Sequence, residues 1–208
     1  SIAAAPQGDA FFMQNLACNE LRMLDQSLHP RLRYSPLNNI TKGMESDLVT
    51  DSTGRLLAGE SGYGLRVYET TSGLTARHLK DDTVGDESTA EELQMSSDGL
   101  LLSAFSNRGI VRLFDVANGR QIMRLTLDRH DFQDVALDPQ KRWLAISNDL
   151  ELKFWSIHES KVRRVVTSPA DLVEDIRFSP DGKVLACAAT SGSSFGFHRS
   201  SLMTIDCS

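Results

Sequence analysis

Short apolar runs and tight turns alternate along the whole chain, and one arrangement of them recurs. Each copy has an apolar residue, a turn and a second apolar run. The clearest copies are MSSDGLLLSAF from Met95, LDPQKRWLAIS from Leu137 and FSPDGKVLACA from Phe178, and the fainter copies are VTDSTGRLLAG and AAAPQGDAFFM. The turn falls at Gly8, Gly54, Gly99, Lys141 and Gly182, in steps of 46, 45, 42 and 41 residues. A period of this length indicates a repeat architecture.

A second pattern follows each turn. It is LRMLD from Leu21, LRVYE from Leu65, VRLFD from Val111, LKFWS from Leu152 and, more weakly, LMTID from Leu202. The large residue in each copy is Leu24, Tyr68, Phe114, Trp155 and Ile205, in steps of 44, 46, 41 and 50 residues. Two landmarks with nearly the same period argue against chance similarity.

Each repeat predicts four short strands, a to d, because its segments are rich in β-branched and aromatic residues and are separated by turn residues. No segment sustains the period of an amphipathic helix, so we predict an all-β fold. The predicted strands are 2–6, 10–15, 20–25 and 31–37 in a degenerate first repeat, then 47–51, 55–60, 65–69 and 74–79, then 92–96, 100–106, 110–116 and 120–126, then 134–138, 142–148, 150–157 and 162–168, and finally 174–179, 183–190 and 201–206.

The repeat resembles the WD40 repeat over nearly the whole chain. FSPDGKVLA and VRLFDVANG are similar to the a–b and c–d segments of that family. The resemblance implies a β-propeller of four-stranded antiparallel blades around a channel, with blades at 1–37, 47–79, 91–126, 132–168 and 172–208. The terminal Trp-Asp pair is nowhere intact, since Ser156 follows Trp155 and Asp115 follows Phe114, so these are divergent copies.

One repeat keeps more of the family pattern than the others. His130 precedes strand a, Ser147 ends strand b, Asp149 lies six residues before Trp155, and Trp155 lies in strand c. The resemblance implies a structural network in which an Asp–His bond holds the loop before a blade to the b–c turn. We favour this over a hydrolase triad of Ser147, His130 and Asp149. We expect Trp155 to be buried between blades, with its indole nitrogen bonded within the set.

The number of strands leaves three arrangements open. Five repeats with one strand missing give about 19 strands, whereas propellers range from about 4 to 8 blades. The chain is expected to be part of a longer propeller, a five-bladed ring, or an open propeller that a partner chain completes. An open arrangement leaves sheet faces and a strand edge unpaired, and such edges recruit other strands.

Charge is distributed unevenly along the chain. The net charge is -6, from 22 Lys and Arg against 28 Asp and Glu, which argues against a generic nucleic-acid binder. Much of the excess lies in one short stretch, which contains Asp81, Asp82, Asp86, Glu87, Glu91 and Glu92. Such a stretch is either a solvated loop or a docking surface for a basic partner.

The chain shows little sign of catalytic or metal chemistry. It has no P-loop, GxGxxG, HExxH or CxxC motif, its five histidines are scattered, and we predict neither a cofactor nor a metal. Its three cysteines, Cys18, Cys187 and Cys207, lie in strand-like segments, so we expect reduced thiols and an intracellular protein. No apolar run approaches the 18 residues of a membrane span.

A basic residue recurs in strand c, as Arg22, Arg66, Arg112 and Lys153. We expect it on the solvated side of the strand, opposite the buried large residue.

Three connections are longer than a minimal turn, namely 38–46, 80–91 and 191–200, and we expect them on one rim of the propeller. The last of them carries Phe195, Phe197 and Arg199, residue types favoured at binding hot spots. We therefore expect a non-catalytic scaffold for protein–protein contacts within a multi-subunit complex. The alternatives are a propeller enzyme, either a hydrolase or an oxidoreductase with its site at the channel mouth, and a subunit of an RNA–protein particle.

Overall fold

The chain folds into antiparallel β-sheets. The computed structural model describes residues 2–4, 6–15, 20–33, 48–61, 64–72, 75–79, 90, 92–106, 108–127, 132–148, 151–167, 172–192 and 198–208. These residues contain nineteen strands in five sheets, four with four strands and the last with three, and strands neighbouring in sequence pair within each sheet. The all-β prediction and its strand order are confirmed. Within the described ranges there is no helix with the length and apolar character that a membrane crossing requires.

The sheets follow the repeats. Sheet 1 contains β1 (Ile2–Ala4), β2 (Ala10–Asn15), β3 (Glu20–Asp25) and β4 (Pro30–Arg33). Sheet 2 contains β5 (Leu48–Thr50), β6 (Leu56–Ser61), β7 (Gly64–Glu69) and β8 (Thr75–His78). Sheet 3 contains β9 (Glu92–Met95), β10 (Leu101–Ser106), β11 (Ile110–Asp115) and β12 (Arg120–Thr126). Sheet 4 contains β13 (Phe132–Leu137), β14 (Trp143–Asn148), β15 (Glu151–Ser156) and β16 (Lys161–Thr167). Sheet 5 contains β17 (Leu172–Phe178), β18 (Val184–Gly192) and β19 (His198–Asp206).

The chain divides into two compact units. Ser1–Leu125 contains sheets 1 to 3, and Thr126–Ser208 contains sheets 4 and 5, with the boundary at the end of β12. In each sheet, alternate residues of strand b point to opposite faces. Positions are counted from the a–b turn residue of each sheet, which is Gly8, Gly54, Gly99, Lys141 or Gly182. We call the face that carries the fourth and sixth residues after it the leading face. The opposite face, which carries the third and fifth residues, is the trailing face.

Within each unit, a leading face packs on the trailing face of the next sheet. Phe12 of sheet 1 packs with Leu57 and Tyr68 of sheet 2. Sheets 2 and 3 pack in the same way, through a cluster that contains Ala58 and Phe114. Sheets 4 and 5 do so through a cluster that contains Phe154 and Leu185. Burial of these apolar faces supplies the main stabilisation, at about 25 cal/mol for each Å² removed from water.

The a–b turns explain the first sequence landmark. The five turn residues have left-handed backbone angles: Gly8 (φ 70°), Gly54 (φ 69°), Gly99 (φ 71°), Lys141 (φ 61°) and Gly182 (φ 69°). Glycine tolerates this region because it has no Cβ. In sheets 2 to 5, the residue three positions earlier caps the turn with its side chain. Asp51 accepts from Leu56 N–H (2.9 Å), Ser96 from Leu101 N–H (2.9 Å), Asp138 from Gln140 N–H (3.0 Å) and Ser179 from Val184 N–H (3.0 Å).

Lys141 is the one non-glycine among these turn residues, and Lys141→Gly is expected to stabilise the protein. Left-handed backbone costs a non-glycine residue about 1–2 kcal/mol, and glycine's extra entropy in the unfolded chain offsets about 0.5–1 kcal/mol of that gain. We expect a net gain of about 0.5–1 kcal/mol in the free energy of unfolding, measured by urea denaturation. Lys183→Gly is the matched control, because Lys183 has no left-handed φ, and it should destabilise instead.

The c–d turns explain the second landmark. Its final acid is a turn cap. Asp25 accepts from Ser27 N–H (2.9 Å), Asp115 from Ala117 N–H (2.8 Å) and Asp206 from Ser208 N–H (2.9 Å). In sheet 4, Ser156 replaces the acid and accepts from Glu159 N–H (3.2 Å). The recurring acid therefore serves turn geometry, as Asx-type turns do generally.

Strand d forms one edge of its sheet, and we call β4, β8, β12 and β16 the outer strands. Three of them carry a β-bulge. The register with strand c shifts by one residue, which leaves Arg31 of β4, Ala76 of β8 and Arg163 of β16 without a pairing position. Bulges and charged residues discourage the edge of a sheet from pairing with other chains.

Candidate functional site

Two of the four residues in the expected network lie on opposite faces of sheet 4. Ser147 of β14 pairs with Leu152 of β15, whereas Trp155 pairs with Leu144. Because successive strand residues alternate between faces, Ser147 belongs to the leading face and Trp155 to the trailing face. His130 and Asp149 lie outside the described residues.

Trp155 and Ser147 are therefore not bonded to each other, and the expected bond of the indole nitrogen to His130 or Asp149 lies outside the described residues. The Ser147 hydroxyl accepts a hydrogen bond from Asp134 N–H (3.0 Å) and donates one to the Asp134 carbonyl (3.3 Å). The Trp155 ring is half-buried rather than buried, and its Nε1 is enclosed without an acceptor among the described residues. The described part of the network thus joins strands a and b of one sheet.

Asp134 is the polar residue that sequence reasoning missed. Its carboxylate is buried and lies just after a bulge in β13. Oδ1 accepts from Val135 N–H (2.7 Å), and Oδ2 accepts from Ile176 N–H (2.8 Å) and from Arg177 Nη1 (3.0 Å). Ile176 and Arg177 belong to β17, so this one carboxylate joins sheet 4 to sheet 5.

A signal for Asp134 was present in the sequence. An aspartate within an otherwise strand-like segment recurs 41 residues later as Asp175, also directly after a bulge. Arg177 lies between the two acids, because its Nη1 also contacts Asp175 Oδ1 (3.0 Å) and donates to the Ile176 carbonyl (2.8 Å). A buried acid within an apolar strand requires a partner, and here that partner comes from the next repeat.

A second contact joins the same two sheets at their turns. The buried Asp138 carboxylate accepts from Arg142 Nε (2.7 Å), and Arg142 Nη2 donates to the Gly182 carbonyl (2.7 Å). Gly182 is the turn residue of sheet 5, so Arg142 bridges equivalent turns. Ser52 forms a similar link in the first unit, where its N–H and hydroxyl both donate to the Ser97 carbonyl (3.2 and 2.6 Å).

Arginines of the outer strands reach the c–d region of the following sheet. Arg77 Nε donates to the Ala117 carbonyl (2.8 Å), and Arg164 Nη1 donates to the Asp206 carbonyl (2.8 Å). Arg164 also lies over the Phe154 ring, 5.3 Å from its centroid. These guanidinium groups therefore serve contacts between neighbouring sheets.

The recurring basic residue of strand c is placed differently from the prediction. Arg22, Arg66, Arg112 and Lys153 each lie two residues before the large residue, so they share its face rather than the opposite one. Arg112 is only 5% exposed, because both faces of β11 are covered. Arg66 Nε donates to His78 Nε2 (2.9 Å) of the outer strand. The expectation of a solvated row is thus wrong for Arg112.

The expected binding rim lies mostly outside the described residues. This applies to 38–46, to the acids Asp81, Asp82, Asp86 and Glu87, and to Phe195 and Phe197. The placement of Arg199 in a loop is wrong, because β18 and β19 extend as far as Gly192 and His198, and Arg199 pairs with Ser191. The two strands thus include residues 191–192 and 198–200 of the predicted connection.

Cys187 and Cys207 are free, buried thiols of sheet 5, as expected, whereas Cys18 lies outside the described residues. Burial, with a smaller contribution from Cys207, raises the pKa of Cys187 to about 11. Burial also raises the pKa of Cys207. Raised pKa values of this kind are typical of unreactive structural cysteines.

Across the described ranges, no three His, Cys, Asp or Glu side chains are grouped as a metal site requires.

Comparison with known proteins identifies a shared fold. No known family model matches the sequence. The structure of hydrazine synthase from Kuenenia stuttgartiensis matches with a TM-score of 0.71 and 13% identity, over 100% of this chain and 62% of that chain. The chain thus spans less than two thirds of that neighbour's length. At this identity the likeness shows the fold alone, and the fold is common, since 1438 chains of solved structures match.

Proposed function

We propose that the five sheets are blades of a divergent WD40-like β-propeller, and that the protein is a non-catalytic scaffold for protein–protein contacts within a larger intracellular assembly. The repeated four-strand order and the packing of leading faces on trailing faces within each unit support this proposal. Radially stacked blades require both features.

The observation that carries the non-catalytic part is the use of the buried acids. Of the described residues, Asp51, Asp134 and Asp138 are the buried carboxylates, and each accepts hydrogen bonds from backbone N–H groups. Asp51 and Asp138 hold a–b turns, and Asp134 holds a sheet interface. The buried negative charge is thus architectural, which is what a rigid frame for binding loops needs.

The binding face that we propose is the rim formed by 38–46, 80–91 and the connection between Gly192 of β18 and His198 of β19. The first two connections each follow a strand d and precede the next strand a. In an antiparallel four-stranded sheet, the a–b and c–d turns lie at one end of the strands, and strand d finishes at the other end. Both connections therefore leave their sheets opposite the glycine turns. The acids of 80–91 favour a partner with a basic surface, and Phe195 and Phe197 would supply apolar anchors.

The test starts by isolating a partner with the intact tagged protein and then measures its binding kinetics. Neutralising Asp81, Asp82, Asp86 and Glu87 to the corresponding amides should slow association and flatten its salt dependence, because rim charges mainly steer encounter. Replacing Phe195 and Phe197 by alanine should raise the dissociation rate, with a combined loss of about 2 kcal/mol.

The matched control changes four exposed acids of the a–b and c–d turns, at the opposite end of their sheets, to the corresponding amides: Asp9, Asp98, Glu159 and Asp181. It should leave the association rate nearly unchanged. If both rim variants fold and bind the isolated partner as the wild type does, the rim is not the binding face. Turnover of a substrate by the purified protein would contradict the scaffold function itself.

A further inference from the structure

The c–d turn of sheet 3 contains the only Asn-Gly pair of the sequence, Asn118 followed by Gly119. Asparagine is a thermolabile residue, and it cyclises most readily before glycine, which has no side chain to shield its backbone nitrogen. Asn118 is exposed, whereas Gly119 is buried with a left-handed φ of 73°. The residue with the labile amide is thus accessible to water, and the residue with the attacking nitrogen is not.

Both reacting groups are engaged in the folded turn. The Gly119 N–H donates to the Asp115 carbonyl (2.9 Å). Asn118 Nδ2 donates to Asp115 Oδ2 (2.7 Å), and Asn118 Oδ1 accepts from Arg120 N–H (2.9 Å). Attack of the Gly119 nitrogen on Asn118 Cγ requires the side chain to rotate and the N–H to lose its acceptor. These hydrogen bonds therefore have to break before the reaction starts.

The same turn is held by the outer strand of sheet 2. Arg77 Nε donates to the Ala117 carbonyl (2.8 Å), and a Cβ on Gly119 would lie only 2.8 Å from the His78 carbonyl oxygen. Both sheets belong to the unit Ser1–Leu125. The turn is thus packed against β8, and it opens fully only when this contact between sheets 2 and 3 opens with it.

We propose that Asn118 is a deamidation site, which the contact between sheets 2 and 3 protects and whose modification prevents that contact from forming again. In the opened turn, the Gly119 nitrogen bonds to Asn118 Cγ and the Cγ–Nδ2 bond breaks. The amide nitrogen leaves as ammonia and takes the Gly119 proton with it. Water then opens the resulting succinimide ring on either side, which leaves aspartate or isoaspartate at this position.

Both products conflict with the closed turn. Aspartate places a carboxylate where Asn118 Nδ2 lies 2.7 Å from Asp115 Oδ2, so repulsion between like charges replaces a hydrogen bond. Isoaspartate lengthens the backbone by one carbon beside the His78 carbonyl, where a Cβ on Gly119 already has no space. The reaction thus converts a transient opening into a permanent loss of contact. This proposal goes beyond the scaffold function and does not rest on it.

The test compares the purified full chain in its folded state and in urea. Trypsin cleaves after Arg112 and Arg120, so mass spectrometry of the peptide 113–120 measures the modification, and chromatography separates its two products. The folded chain should react at least about tenfold more slowly than the unfolded chain, because only locally opened molecules react. Asn148 is the internal control, because it precedes Asp149 rather than glycine and should remain largely unmodified in both states.

Arg77→Ala tests the protection by sheet 2. The variant lacks the bond to the Ala117 carbonyl, so its folded state should be modified about tenfold faster, as expected for one lost charge-assisted hydrogen bond. Arg164→Ala is the matched control, because it removes the similar bond to the Asp206 carbonyl in the other unit. It should leave the rate at Asn118 unchanged.

Asn118→Asp tests the effect of the modification, since it produces one of the two products directly. Its midpoint of urea denaturation should lie below that of the wild type. Added salt should narrow this difference, because salt screens the repulsion between exposed charges. Asn118→Ser has no side-chain amide to lose, so its midpoint should stay constant on prolonged incubation while that of the wild type falls.

Slow modification of the folded wild type, acceleration in Arg77→Ala and a lowered midpoint in Asn118→Asp support the proposal. Equal rates in the folded state and in urea overturn it, as does a folded Arg77→Ala that reacts no faster or an Asn118→Asp as stable as the wild type. If Arg77→Ala does not fold, the wild type is followed at urea concentrations below its unfolding midpoint, where the rate has to rise. No partner protein enters these experiments, so either proposal can fail without the other.

Discussion

Asp134→Ala is expected to lower the free energy of unfolding by about 3–5 kcal/mol, because hydrogen bonds to a charged group contribute about 1.5–3 kcal/mol each. The substitution removes the acceptor of Val135 N–H, Ile176 N–H and Arg177 Nη1 together. Val135 and Ile176 are themselves buried, so their N–H groups lose a partner in an interior position. Whole domains are stable by only about 5–15 kcal/mol, so this single change should shift the thermal midpoint by many degrees.

Asp175→Ala is the matched control for Asp134→Ala. It removes the same chemical group at the equivalent position one repeat later, where the carboxylate is exposed and contacts an exposed Arg177. Surface ion pairs contribute about 0–1 kcal/mol, so the control should unfold close to the wild type. Equal losses in urea denaturation would show that Asp134 does not join the two sheets in solution.

Gly182→Ala is expected to destabilise by about 3–4 kcal/mol, as overpacking added to backbone strain. Gly182 has φ 69°, a region that side chains disfavour. A Cβ at this position would overlap the Asp138 carboxylate and would also lie 3.1 Å from Gln140 Cγ and 3.2 Å from Arg142 Nη2. Because Asp138 is fully buried, the turn of sheet 5 has to move away from the turn of sheet 4.

Gly8→Ala separates strain from overlap. Gly8 has nearly the same angle, φ 70°, but a Cβ there would meet nothing within 4 Å. The control should therefore lose only the strain contribution, about 1–2 kcal/mol. Thermal unfolding followed by circular dichroism would measure both variants. A loss in Gly182→Ala no larger than in Gly8→Ala would contradict the close approach of the two turns.

The turns and strands were predictable from sequence because local chemistry determines them. The left-handed residue of each a–b turn was located even where Lys141 replaces glycine, since the flanking apolar runs fix its position. Strand ends in sheet 5 were predicted less well. β18 and β19 continue to Gly192 and His198 because backbone pairing continues through serine and glycine, which carry no apolar signal.

The polar contacts were harder to predict because they depend on which face a side chain occupies. A family template placed Trp155 and Ser147 together, whereas the pairing of Trp155 with Leu144 puts them on opposite faces. Asp134 was missed because its partners lie 42 and 43 residues away, in another repeat. A bulge moved it onto the leading face, and single-sequence periodicity does not report bulges.

The turn caps bear on how this protein changes over evolutionary time. At one capping position the chain uses Asp51, Ser96, Asp138 and Ser179 in turn, and the backbone N–H is satisfied by an oxygen in each case. Selection at such a site acts on the presence of an acceptor oxygen rather than on one amino acid. Serine and aspartate both supply this oxygen, although a serine at Asp138 would lose the bond from Arg142 Nε (2.7 Å). A shared fold at 13% identity is compatible with positions of this kind, at which several residue types meet one backbone requirement.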